Sequence, residues 1–124
     1  MNQPKIYFSH SRDPQFDYIS MYDSLSKNFP NVNWIFPHQK TEEPYDVISE
    51  FQSGNINLIL AEVSFPSTGQ GIELGIAFEN KILIHCIYLK GQKFTSALDI
   101  ISKTINSYST IQNITELTEK LDLS

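Results

Sequence analysis

The segment from Ile56 to Val63, Ile-Asn-Leu-Ile-Leu-Ala-Glu-Val, constrains the fold of this chain most strongly. An apolar run of this length, without alternation of polar residues, reads as a strand buried on both faces. Such a strand belongs in a parallel sheet, and parallel neighbours must be joined by crossover helices. The flanking sequence supplies them. Strands are expected at Lys5 to Ser9, Val32 to Phe36 and Ile82 to Tyr88, with a weaker one at Tyr108 to Ile111. Between them the spacing predicts helices over Gln15 to Lys27 (with Phe16, Ile19, Tyr22 and Leu25 on one side), Pro44 to Gln52, Gly71 to Asn80 and Ser96 to Thr104. Pro44 suits a first helical turn, and Gly54 falls just past the end of that helix. A closing helix follows, in which Asn113 and Glu116 have capping-box spacing.

This alternation predicts an α/β fold, a flavodoxin-like, doubly wound five-stranded parallel sheet with helices on both faces. The 124 residues fit one domain, 1–124. In the flavodoxin-like strand order the ligand crevice lies beyond the carboxyl ends of strands one and three. Ser9 to Asp13 and Ser64 to Glu73 occupy those two ends. The second stretch leaves its strand at Phe65-Pro66, passes through small and hydroxyl residues and enters a helix. Free backbone N–H groups and the positive end of a helix dipole then suit an anion. Glu73, between Ile72 and Leu74, falls in the first turn of that helix, where a carboxylate is expected to stay ionised.

Composition excludes several classes of function. The net charge is −5 and Arg12 is the only arginine, which argues against a nucleic-acid surface. A single phosphate can still be held by N–H groups and hydroxyls. No apolar run approaches the ~20 residues of a membrane span. Cys86 is the only cysteine and lies in an apolar strand, so a disulfide framework is excluded and a reducing, cytoplasmic compartment is expected. The three histidines lack ligand spacing, so neither a metal nor a cofactor is expected. Gly69-x-Gly71 with Gly75 is not a dinucleotide fingerprint, and no P-loop is present.

Ala61-Glu62-Val63, then Pro66-Ser67, then Gly69-x-Gly71-x-Glu73-Leu74-Gly75 resembles the signature of the nucleoside 2-deoxyribosyltransferase superfamily. Within it the likeness is closest to the 2'-deoxynucleoside 5'-monophosphate N-glycosidases. Weaker matches are Tyr7-Phe8-x-x-Ser11, His38 after the second strand and Ser96-Ala97 after the fourth. The resemblance implies that Glu73 is a nucleophile attacking C1' of the sugar, with Tyr7 reaching it to tune its ionisation and position. It implies that Ser11, Ser67 and Ser96 bind the 5'-phosphate, Ser96 from the second subunit of a homodimer. His38 would lie on the base side. Transferases acting on unphosphorylated nucleosides tend to carry an aspartate where Ser67 stands, so Ser67 favours a nucleotide.

Each residue also has an ordinary reading. Glu73 can simply complement a helix dipole, and Tyr7 can be a core aromatic. The serines can be turn or helix caps, Arg12 a solvated surface group instead of a phosphate clamp, and His38 an exposed loop residue. His10 stands where the family usually has glycine, and it can narrow the pocket or donate to phosphate. His85 reads as a core histidine. Asn57 aligns with a family aspartate that handles the sugar or the leaving base, and an amide cannot relay a proton. Asp46 or Glu62 can compensate, though Glu62 also reads as a hydrogen-bonded structural acid.

The expected function is hydrolysis of the N-glycosidic bond of (2'-deoxy)nucleoside 5'-monophosphates through a covalent glutamyl-deoxyribosyl intermediate. Two alternatives stand beside it: base exchange by a 2-deoxyribosyltransferase, and a nucleotide-binding sensor with little or no turnover, motivated by Asn57 and His10. The expected partners are a small-molecule nucleotide and a second copy of the chain, with no nucleic acid and no membrane.

Overall fold

A computed structural model describes residues 4–37, 46–65 and 67–121. Among the described residues five strands and five helices alternate. They are β1 (Lys5–Ser9), α1 (Tyr18–Asn28), β2 (Asn33–Ile35), α2 (Val47–Ser53), β3 (Leu58–Glu62), α3 (Thr68–Glu79), β4 (Leu83–Leu89), α4 (Leu98–Ile101), β5 (Thr104–Tyr108) and α5 (Ile111–Glu119). All strand pairs are parallel and the order is β2-β1-β3-β4-β5, the expected flavodoxin-like arrangement. The switch point therefore lies between β1 and β3, where Tyr7 pairs with Ile59 and Ser9 with Ala61.

Alternation along each strand divides the core into two layers. Tyr7, Ile59, Ala61, Ile84 and Cys86 face one way, against Val47 and Phe51 of α2, Leu74 and Ala77 of α3, and Leu98 of α4. Ile6, Phe8, Leu58, Leu60 and Ile87 face the other, against Met21, Tyr22 and Leu25 of α1 and Ile114 of α5. Every residue of β3 is buried, as its apolar run requires. Beyond α2, Gly54 takes a left-handed φ of 78°, a conformation that glycine adopts without steric cost.

Several boundaries differ from the sequence reading, each for a local reason. Ser67 accepts the Gln70 N–H and caps α3, so the helix begins at Thr68, before its glycines. Glu73 consequently lies in the second turn of α3, not the first. Asp17 caps α1 at Tyr18, and Ile19 is 65% exposed instead of facing the core. Asp46 caps α2, while Pro44 lies outside the described residues. The fourth helix is a single turn, because Thr104 and Ile105 pair with His85 and Cys86 as the first residues of β5. Thr110, not Asn113, caps α5; Asn113 instead accepts the Ser109 N–H and donates to Glu116.

Candidate active site

The site is built where β1 and β3 end. Tyr7 projects from β1 beneath α3, its ring edge-on to Phe51 of α2 at a centroid distance of 5.8 Å. Its hydroxyl donates to Glu73 Oε2 at 2.7 Å across 66 residues of sequence. Tyr7 is 2% exposed, whereas Glu73 is half-buried, so the carboxylate sits at the boundary between core and crevice. Burial pushes the Glu73 carboxyl above its ordinary range, and the Tyr7 hydrogen bond opposes that rise. The first-turn placement expected from sequence is corrected to the second turn, where burial acts on the carboxyl more strongly than any helix-end effect. Oε1 of Glu73 has no hydrogen-bond partner among the described residues.

Ser9 lies two residues beyond Tyr7 and, by strand alternation, on the same side of the sheet. It is fully buried, and its hydroxyl has no hydrogen-bond partner among the described residues. Ser11 is 6% exposed, and its Oγ accepts the Asp13 N–H at 3.3 Å, shaping the turn after β1. Across the crevice, Ser67 Oγ accepts the Gln70 N–H at 3.4 Å, and the Gly71 N–H reaches Ser67 O at 3.0 Å. The N–H groups of Thr68 and Gly69 precede that first intrahelical bond, at the positive end of the α3 dipole. Gly69 and Gly71 are thus helical residues, and a Cβ at Gly71 would meet nothing within 4 Å. Arg12 is exposed in the turn after β1. Ser96 is exposed just before α4, at the end of β4, and its carbonyl accepts the Asp99 N–H. His38 lies outside the described residues.

Two assignments from sequence are corrected. Asn57 precedes β3, at the amino end of the sheet, where its Oδ1 accepts the Lys5 N–H at 2.7 Å. The whole of β3 separates it from the crevice. His10 is 5% exposed and turned into the α1 layer, stacked on Tyr18 at 4.8 Å. Its Nδ1–H donates to the Ser11 carbonyl, and Nε2 meets the Tyr22 hydroxyl. It is a packed aromatic-cluster histidine. His85, 7% exposed and bonded through Nδ1 to Thr104 Oγ1 at 2.7 Å, is the core histidine expected.

Asp46 is one of the two acids that the sequence offered in place of the carboxylate missing at Asn57. As the N-cap of α2 it lies at the carboxyl end of the sheet, the same end as Glu73, on a helix that packs against α3. The Ser49 hydroxyl and N–H hold its carboxyl below the ordinary range. Glu62 proves to be a buried, hydrogen-bonded acid. Gln70, whose Nε2 donates to the Glu62 carbonyl at 2.8 Å, carries no sequence signal of that role, because its partner is set by the fold. Among the described residues no group of three His, Cys, Asp or Glu side chains is placed to hold a metal, and no helix is long and apolar enough to cross a membrane.

The architecture is an α/β fold on a five-stranded parallel sheet, and it is shared with solved structures that include a CMP N-glycosidase and a 2-deoxyribosyltransferase. Sequence comparison finds no matching family model and no matching curated protein. Solved structures do match. A CMP N-glycosidase of Clostridium botulinum is similar with a TM-score of 0.66 at 14% identity, over 93% of this chain and 97% of that one. A 2-deoxyribosyltransferase from Bacillus psychrosaccharolyticus gives a TM-score of 0.62 at 13% identity, over 95% and 92% of the two chains. A conserved protein of Enterococcus faecalis gives 0.60 at 16%, over 96% and 99%. At these identities the shared property is the fold.

Proposed function

We propose that this protein cleaves the N-glycosidic bond of nucleoside 5'-monophosphates, with Glu73 as nucleophile. The observation that carries the reading is the Tyr7–Glu73 hydrogen bond at the switch point of the sheet. A carboxylate with one oxygen held by a buried phenol and the other open to a crevice is oriented for attack. In the first step Glu73 Oε1 bonds to C1', the C1'–N bond breaks, and its electron pair leaves with the base, which takes up a proton. In the second step water adds to C1', loses a proton and releases Glu73, so configuration at C1' is retained. Asp46, at the same end of the sheet, is the second acid of this reading and hands protons to the base or takes them from water.

The phosphate is assigned to the α3 amino end, through the Thr68 and Gly69 N–H groups with Ser67 and Ser11. Arg12 adds charge from the turn after β1. Ser96 completes the phosphate site from a second copy of the chain. Support for a homodimer comes from exposed apolar side chains on α3 and α4: Phe78 and Ile100, 46% and 77% exposed, line one depression, and Ile72 is 54% exposed. A nucleotide-binding module with little or no turnover stays as the alternative; Asn57 at the amino end of the sheet and His10 packed in the α1 layer favour the enzyme reading over it. Base exchange shares the covalent intermediate, and one of the similar structures is a 2-deoxyribosyltransferase.

The test is chromatography of free base released from a panel of ribo- and deoxyribonucleoside 5'-monophosphates, with CMP included because one similar structure is a CMP N-glycosidase. A second base added to the reaction distinguishes exchange, which yields a new nucleotide, from hydrolysis.

A further inference from the structure

One buried acid ties together the carboxyl ends of three strands. Glu62 ends β3 with 1% of its surface exposed. Its Oε1 accepts the Ser64 N–H at 2.6 Å; its Oε2 accepts the Ser64 hydroxyl at 2.8 Å and also the hydroxyl of Tyr108 at the end of β5. Ser64 Oγ in turn accepts the Leu89 N–H at the end of β4, at 2.6 Å. The main-chain carbonyl of Glu62 accepts Gln70 Nε2 from within α3. One residue therefore grips the chain on both sides of Ser67, by its side chain at Ser64 and by its backbone at Gln70.

The chemistry of the cluster defines what Glu62 does. All three partners of its carboxyl group are donors, the complement an ionised carboxylate requires. Among the described residues no Lys, Arg or His forms an ion pair with it. Burying a carboxylate without a cation is costly, and an apolar side chain would fill the same space at no such cost. Its bonds are instead spent on the link from β3 into α3, which carries Ser67 and the Thr68 and Gly69 N–H groups.

We infer that Glu62 is a positioning residue, whose carboxylate fixes the amino end of α3 against the substrate's phosphate. This rests on the phosphate site proposed above, and it adds a residue that touches neither phosphate nor sugar. Glu62→Gln places an N–H2 group where an oxygen accepted from Ser64 or Tyr108, so the link loosens on the site side. Tyr108→Phe removes only the bond toward β5 and leaves both Ser64 bonds in place.

The test compares KM for CMP and dCMP with KM for cytidine and deoxycytidine, alongside amide hydrogen exchange of the intact protein. In Glu62→Gln, KM for the monophosphates rises about tenfold, the equivalent of one lost charge-assisted hydrogen bond, while KM for the nucleosides moves about twofold or less. The Gln70 and Gly71 amides exchange about tenfold faster in that variant. Tyr108→Phe lowers Tm but keeps the preference for phosphate. Glu62→Gln that keeps the phosphate preference, or that loses phosphorylated and unphosphorylated substrates alike, overturns the inference. A wild type that prefers neither substrate overturns the phosphate reading instead. Exchange then decides alone: unchanged Gln70 and Gly71 amides in Glu62→Gln refute the positioning role, and faster ones uphold it.

Discussion

The Tyr7 hydroxyl lies 2.7 Å from Glu73 Oε2, joining β1, an interior strand of the sheet, to the second turn of α3. Tyr7 is fixed by the core and Glu73 reaches the crevice, so the bond transmits the rigidity of one to the other. It also opposes the rise that burial imposes on the Glu73 carboxyl.

Removing that bond has a defined effect on pH dependence. Attack requires ionised Glu73, so kcat/KM falls as pH drops through its raised pKa. Tyr7→Phe deletes the hydrogen bond that lowers that pKa, and the acid limb therefore moves to still higher pH. Turnover at neutral pH falls about tenfold or more, because orientation is lost as well. pH–rate profiles of wild type and Tyr7→Phe check this; an acid limb that stays in place contradicts it.

The same shift makes Glu73 a liability for stability. A carboxyl whose folded pKa lies above its unfolded value binds more protons folded than unfolded, so stability declines as pH rises through that interval. Glu73→Gln is expected to raise Tm at neutral pH by roughly 2 °C, with the advantage shrinking as pH falls from the raised pKa toward the ordinary glutamate value. Calorimetry of wild type and Glu73→Gln from acid to neutral pH reads this directly.

Ser67→Ala removes a cap and a phosphate contact in one change. The lost cap costs about 1 kcal/mol, which lowers Tm by about 4 °C. Monophosphate affinity falls about tenfold and nucleoside affinity stays nearly level. Titration calorimetry separates the two effects, since a stability loss alone would not discriminate between the ligands.

Asp46 and Asn57 are distinguished by the end of the sheet each occupies. Asp46→Asn keeps a good helix cap, so folding is preserved while the second acid is removed, and turnover falls about a hundredfold. Asn57→Asp keeps the acceptor for the Lys5 N–H and leaves turnover near the wild-type rate. A gain in turnover from Asn57→Asp would contradict the placement of Asn57 at the amino end.

The sequence carried the sheet more clearly than the site. Ile56 to Val63 could only be a doubly covered strand, and that decided the strand order and the crevice between Ser9 and Ser64. The start of α3 was obscured because Gly69 and Gly71 are poor helix formers, and only the Ser67 cap reveals them as helical. β5 was hidden because Leu98, Ile101 and Ile105 have helical spacing, although Ile105 pairs with Cys86 in the sheet. Asn57 precedes β3, so the rule that ligands sit beyond the carboxyl ends of parallel strands already places it away from the crevice, against the resemblance. Glu62 and Ser64 depend on Tyr108 and Leu89, residues 46 and 25 positions away, and short polar side chains give no sign of such partners.

The central claim is that Glu73 attacks C1' of a nucleoside 5'-monophosphate. The most direct measurement follows free base by chromatography for wild type and Glu73→Gln across the monophosphate panel. Glu73→Gln keeps the shape and an acceptor for the Tyr7 hydroxyl but lacks the nucleophilic charge. Base release by wild type, reduced about a thousandfold or more in Glu73→Gln with nucleotide binding retained, is the predicted result. Base release by Glu73→Gln at the wild-type rate would contradict it.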